Sequence, residues 1–222
     1  MILPLTTMKY TEAFFDLDGT ITDSGKVIME CAAYSLRFFG YEDQPEEKLR
    51  KFVGPSLMDS FQTLYGMSED EARKATGIYR GLYETDKMYD VTIYDGIVEL
   101  LSSCRKAGIS CYVITSKVEA SAKQIIKKFD LDRYFTDVIG PDPCDPSSDK
   151  KRLIERAIDR YSLDRNHCIM IGDTHFDIDG AVGAGIDSIA VTYGYGDLSS
   201  LEKAGPKYIA TEPAEVWEVL RD

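Results

Sequence analysis

Apolar, partly β-branched runs recur along the chain at positions 13–17, 110–114, 168–171 and 188–192, with shorter ones near 137–139 and 207–210. Such brief, nearly continuous runs predict strands buried on both faces of a parallel sheet. Between them the apolar positions take helical spacing. Ile97, Leu100, Leu101 and Cys104 form one such face, from an Asp95 cap to a Gly108 stop. Val118, Ala122, Ile125, Ile126 and Phe129 form a second, and Leu153, Ile154, Ala157, Ile158 and Tyr161 a third. Strand alternating with helix predicts an open α/β sheet.

Residues 25–91 break this rhythm, with no clear strand and several helical faces. Val27, Ile28, Cys31, Tyr34, Ser35 and Phe38 line one, and Leu57, Phe61, Leu64 and Tyr65 another. Ser68 and Glu71 are spaced as a capping box opening a third, with Ala75, Ile78, Tyr79, Leu82 and Tyr83. An all-helical block inserted after the first strand reads as a second, smaller domain, with hinges at Ser24-Gly25 and within 90–95. The core is then 1–24 plus 92–222.

At 222 residues the chain is long enough for a proper core. Its net charge of −12 argues against a nucleic-acid duplex or an anionic membrane as partner. A phosphate ligand in so acidic a chain needs a local cation. The five cysteines are odd in number, scattered and without a CxxC pair, which predicts reduced thiols and a cytoplasmic location. The apolar start Met1-Ile2-Leu3-Pro4-Leu5 lacks the basic region and cleavage site of a signal peptide, and Met8 is an alternative start. No run reaches the ~18 apolar residues of a membrane span.

In open α/β sheets, ligands bind beyond the carboxyl ends of the strands. Polar residues gather at three such ends: Asp16-Leu17-Asp18-Gly19-Thr20, Thr115-Ser116-Lys117, and Gly172-Asp173-Thr174-His175-Phe176-Asp177. Lys150, Lys151 and Arg152 open a predicted helix, where each cation is disfavoured by ~0.3–1 kcal/mol, so something anionic lies close.

This ordered set resembles the haloacid dehalogenase-like superfamily. The helical insert, Phe52-Val53-Gly54-Pro55-Ser56-Leu57, Tyr79-Arg80 and Val191-Thr192-Tyr193-Gly194-Tyr195-Gly196 resemble its phosphoglycolate phosphatase-like branch. The usual Lys-Pro-x-Pro around the lysine is absent, and Lys151 competes with Lys150. The resemblance implies an α/β fold, with a Rossmann-like open parallel-sheet core and an inserted all-helical cap domain. It implies Asp16 as nucleophile, Asp18 as acid/base, Lys150 as the active-site lysine, and Thr115 with Ser116 around the phosphate. Its metal ligands are Asp16, the backbone carbonyl of Asp18, and Asp173, with Asp177 in support.

The chemistry agrees. Phosphate monoester hydrolysis needs accelerations up to about 10²¹, and a carboxylate nucleophile divides it into two easier steps. Acid/base help from Asp18 is typically worth ~10²–10⁴-fold. A carboxylate at ~4 Å from a phosphate charge is repelled by roughly 4 kcal/mol per unit pair at an effective dielectric of 20. Adding Asp173 then makes sense only beside a cation, and oxygen ligands with phosphate point to Mg²⁺.

The expected activity is hydrolysis of a small phosphorylated metabolite by a monomer or homodimer. Phosphoglycolate stands slightly ahead, followed by a nucleoside monophosphate or pyrophosphate, then a β-phosphoglucomutase-like transfer. Asp18 counts against a dehalogenase. A phosphonate hydrolase would need a Schiff-base lysine in the cap, where Lys26 is the candidate. The complete acid, metal and cation set argues against an inactive phosphate-binding module. Arg80 is the candidate cap contact for an anionic substrate, with Lys26 and Lys117 weaker candidates. His175 occupies a variable position within the group Gly172–Asp177, and His167 is expected at the surface.

Overall fold

The computed structural model describes residues 8–222 except Pro143 and Pro146; residues 1–7, assigned above to the core, lie outside the described residues. The chain runs β1 (Glu12–Phe15), β2 (Thr22–Asp23), then α1 (Gly25–Arg37), α2 (Glu46–Arg50), α3 (Leu57–Tyr65), α4 (Glu69–Tyr83), a 3-10 turn (Asp86–Tyr89) and β3 (Thr92–Ile93). It continues through α5 (Ile97–Ala107), β4 (Ser110–Ile114), α6 (Glu119–Lys128), β5 (Phe135–Ile139), α7 (Lys150–Tyr161) and β6 (Cys168–Gly172). The last part holds α8 (His175–Ala184), β7 (Asp187–Val191), α9 (Leu198–Ala204), β8 (Tyr208–Ala210) and α10 (Pro213–Arg221).

Six strands form one parallel sheet in the order β5-β4-β1-β6-β7-β8. The first strand in the chain is thus central. The sheet grows outward from it through β4 and β5, then the chain crosses back to β6 on its other side and continues to β7 and β8. This is the switch point where open α/β sheets bind ligands. Alternation along β1 divides the packing. Phe14 joins Leu153, Ile154 and Ala157 of α7 and Ala181 of α8. Ala13 and Phe15 join the cluster that contains Ile97 and Leu101 of α5 and Ile125 of α6. Burying a phenylalanine side chain contributes about 1.5–3 kcal/mol, so both faces of β1 are anchored.

Ser68 opens α4 through the expected capping box: its Oγ accepts from the Glu71 N–H at 3.4 Å, and Glu71 Oε2 accepts from the Ser68 N–H at 2.9 Å. Helix α5 differs at its start. Gly96, at φ +87°, takes the capping position and leaves Asp95 one residue outside the helix. Its stop is the expected one, a left-handed Gly108.

β2 and β3 pair antiparallel, Thr22 with Ile93 and Asp23 with Thr92. The helical stretch between them leaves and returns through this two-stranded ribbon. Its apolar residues, including Phe61, Ala75 and Tyr79, belong to the same packed cluster as one sheet face. Among the described residues, no helix is long and apolar enough to cross a membrane.

Candidate active site

Register brings the site together. Phe15 pairs with Val113 on one side and Ile171 on the other. Asp16 therefore leaves β1 between Thr115 and Asp173, each just beyond its own strand. The Asp16 N–H still donates to the Ile171 carbonyl at 2.9 Å, so the sheet holds its backbone. The chain then turns at once, with the Ile21 and Thr22 N–H groups donating to the Leu17 carbonyl at 3.0 and 2.9 Å. Gly19 sits at φ +93°, and any β-carbon there would overlap the Asp173 carboxylate. The position needs glycine for its backbone and for its missing side chain.

Asp16, Asp173 and Asp177 are all buried and bring carboxylate oxygens within 4.8 Å of one another. Each is separately restrained. Thr20 Oγ1 donates to Asp173 Oδ1 at 3.1 Å, and the Tyr195 N–H donates to Asp173 Oδ2 at 2.8 Å. Asp177 Oδ2 accepts from Thr174 N–H at 3.1 Å and Oγ1 at 2.8 Å, closing a capping box at the start of α8. Lys150 Nζ lies 2.9 Å from Asp16 Oδ1 and 2.8 Å from Asp177 Oδ1, and donates to the Ile114 carbonyl at 2.9 Å.

Of the two competing lysines, Lys150 is the buried one. Lys151 is exposed and pairs with Glu155 at 3.5 Å. The anion inferred from cations crowding a helix start is Asp16 together with Asp177.

The charges do not balance. Burial, opposed by Lys150 and reinforced by Asp177 and Asp18, pushes the Asp16 carboxyl up to about 7. Burial, then the neighbouring Asp177 and Asp16, push Asp173 well above the usual carboxylate range. Burial acts to lower Lys150, but Asp16 and Asp177 outweigh it and the net direction is up. One ammonium thus faces three buried carboxylates. All the donors are hard oxygens, and the set fits a divalent cation such as Mg²⁺. Asp177 belongs to this cluster by geometry, whereas the Asp18 carboxylate points elsewhere, with Oδ2 2.9 Å from Lys117 Nζ.

Lys150→Met leaves two buried carboxylates without their ammonium, and a broken buried pair costs about 3–5 kcal/mol. Urea unfolding should register that loss; a change below about 1 kcal/mol would show that the pair is not load-carrying for the fold.

Thr115 is buried and its Oγ1 accepts from the Lys117 N–H at 3.1 Å, while Ser116 Oγ donates to the Ser148 carbonyl at 3.2 Å. Both line a cavity of about 780 Å³, as do Asp16, Asp18, Lys117 and Lys150. The opposite wall comes from the helical block: Phe52, Thr76, Tyr79, Arg80 and Tyr83. Arg80 is exposed at this cavity, and Lys26 is exposed and does not line it. The His175 ring lies against Phe176, with ring centroids 4.0 Å apart and planes tilted by 35°. His167 is exposed, its Nδ1 at 2.9 Å from the Lys9 carbonyl.

Three contributors escaped the sequence reading: Thr20, Tyr195, and Lys117 as a partner of Asp18. Thr20 was visible as the last residue of the first motif. The loop of Tyr195 carried a signal in its alternating glycines. At Gly196 a β-carbon would overlap the Asp173 carbonyl oxygen, so the loop passes flush against that aspartate.

Residues 13–191 match the model of the haloacid dehalogenase-like hydrolases. The chain belongs to that family. It is 33% identical over 213 residues to a 5'-nucleotidase of Pseudomonas aeruginosa, covering 96% of each chain. It is 29% identical over 205 residues to the tyrosine-protein kinase PtkA of Mycobacterium tuberculosis, covering 92% of this chain and 69% of that protein. Among solved structures it resembles one described as a predicted phosphatase from Clostridium acetobutylicum. That likeness has a TM-score of 0.91 and 37% identity, and covers 94% of this chain and 97% of the other. The parallel sheet flanked by helices is thus the architecture of that family.

Proposed function

We propose that this chain is a Mg²⁺-dependent phosphatase that hydrolyses a small phosphate monoester through an aspartyl-phosphate on Asp16. Its class within the family is that of a phosphoric monoester hydrolase. The observation that carries the mechanism is the placement of Asp16: a buried carboxylate at a central strand end, 2.9 Å from Lys150, among the clustered oxygens of Asp173 and Asp177.

An Asp16 oxygen attacks phosphorus and the ester P–O bond breaks. Asp18 gives a proton to the departing oxygen, then takes one from the water that attacks the phosphoryl group, and inorganic phosphate leaves. Lys150 holds Asp16 in place and offsets its charge. Thr115 and Ser116 receive the phosphoryl oxygens at the turn between strand and helix. Asp16, Asp173 and the Asp18 backbone carbonyl, supported by Asp177, would hold Mg²⁺, which when bound neutralises phosphoryl charge.

Residues 25–91 act as a cap over a core made of 1–24 and 92–222, and its closure excludes water and bulky targets. A cavity of about 780 Å³ falls in the range that holds a nucleotide-sized ligand. Its aromatic wall, with Tyr79 and Tyr83 stacked at 5.4 Å, suits a leaving group larger than two carbons. Together with the 5'-nucleotidase likeness, this favours a nucleoside monophosphate over the phosphoglycolate ranked first from sequence, with pyrophosphate behind both. We read the enzyme as cytoplasmic, acting on a free metabolite rather than on nucleic acid or a membrane.

A panel of nucleoside 5'-monophosphates, phosphoglycolate, pyrophosphate, sugar phosphates and a phosphotyrosine peptide tests this reading by kcat/KM. A nucleoside monophosphate should lead. A different leader overturns the substrate assignment, and no turnover of any member with Mg²⁺ present contradicts the phosphatase itself.

A further inference from the structure

Lys117 follows the Thr115-Ser116 turn, and its side chain is 9% exposed. Its Nζ lies 2.9 Å from Asp18 Oδ2 and donates to the Tyr83 hydroxyl at 2.6 Å. Tyr83 belongs to α4 of the helical block, and its ring centroid is 4.4 Å from the same ammonium. One buried cation therefore joins a carboxylate of the turn after β1 to a tyrosine of the helical block. The turn itself is fixed, because the Lys117 N–H donates to Thr115 Oγ1 at 3.1 Å.

The two oxygens of Asp18 differ. Oδ2 is held by Lys117, whereas Oδ1 is buried without a hydrogen-bond partner among the described residues. A carboxyl group held this way has one anchored oxygen and one left to carry a proton. Lys117 is also drawn to the cap by Tyr83, which stacks on Tyr79 and is itself buried.

We propose that Lys117 is a positioning residue for Asp18, and that Tyr83 makes this positioning depend on the cap being seated. With the cap down, Tyr83 and Asp18 clamp the ammonium, and the clamp fixes the Asp18 carboxyl with Oδ1 free for proton transfer. With the cap raised, Tyr83 departs and Asp18 loses its fixed orientation. Proton donation is thereby confined to the closed, water-excluding state. The assignment rests on the reading of Asp18 as the acid that protonates the leaving oxygen.

A leaving-group comparison tests it. In kcat/KM, which covers steps only as far as the first P–O cleavage, p-nitrophenyl phosphate needs little proton donation and glycerol phosphate needs it fully. Lys117→Met should lower kcat/KM for glycerol phosphate at least about tenfold more than for p-nitrophenyl phosphate, since acid help is worth ~10²–10⁴-fold. Tyr83→Phe removes only a hydroxyl, so it carries the test even if Lys117→Met fails to fold; it should show the same discrimination, smaller in size. A purely structural role would lower both substrates equally. Equal losses in the Lys117 and Tyr83 variants, with discrimination in Asp18→Asn, overturn the positioning role alone. Equal losses in all three overturn the acid role of Asp18 and the positioning role with it.

Discussion

Asp16→Asn is expected to abolish turnover of p-nitrophenyl phosphate and leave the fold intact. An amide cannot form the acyl phosphate, so the loss should be on the order of 10⁴-fold or more. Stability should hold for a separate reason. Asp16 is a buried carboxylate whose ionised form is disfavoured by burial and by Asp177. Asparagine has nearly the same shape without that charge, and Lys150 keeps Asp177 at 2.8 Å and the Ile114 carbonyl at 2.9 Å. Steady-state rates with a thermal melt check both halves. Activity above about 1% of wild type in a folded variant would remove Asp16 from the nucleophile's role.

Removing Mg²⁺ should be nearly as severe. Asp16, Asp173 and Asp177 share a buried space with one ammonium, so a phosphate dianion entering without a further cation meets net repulsion. Turnover should vanish in EDTA and return with added Mg²⁺. The folded protein alone presents these converged oxygens, so binding should also stabilise it. At a hundred times Kd the gain is about 2.7 kcal/mol, and at roughly 2–4 °C per kcal/mol for this chain length the melt should rise by several degrees. A phosphate-free melt separates metal binding from catalysis. Full activity in EDTA, or a melt indifferent to Mg²⁺, would contradict the metal role.

Much of the fold and of the candidate site is legible in the sequence. The run at 110–114 is the strand Ser110–Ile114, because continuous apolar burial marks a central parallel strand. The run at 13–17 overshoots: the strand ends at Phe15, and Asp16 and Leu17 already belong to the turn. At α5, Asp95 satisfied the composition of a cap, but a left-handed Gly96 took the position. Lys150 and Lys151 were indistinguishable because both are lysines at one helix start. About 100° of rotation between adjacent helical residues buries the first and exposes the second.

Two of the contacts that the sequence does not announce share a cause. Tyr83 lies 34 residues from Lys117, and Tyr195 lies 22 from Asp173. Both contacts depend on how separate segments dock over the strand ends. The glycines at 194 and 196 signal a close approach by the Tyr195 loop, but no local pattern names the partner of either tyrosine. Lys117, a weaker candidate from sequence for a substrate contact, lines the cavity with its ammonium between Asp18 and Tyr83.

The covalent role of Asp16 is most directly tested by acid-quenching the enzyme during turnover of a labelled phosphate monoester with Mg²⁺ and mapping the phosphopeptides. The Asp18→Asn variant, expected to slow hydrolysis of the intermediate if Asp18 activates the water, serves as the parallel sample. The expected result is a hydroxylamine-labile phosphate on Asp16 and on no other residue. Phosphate on a different side chain, or none in either sample while substrate is being consumed, would contradict it.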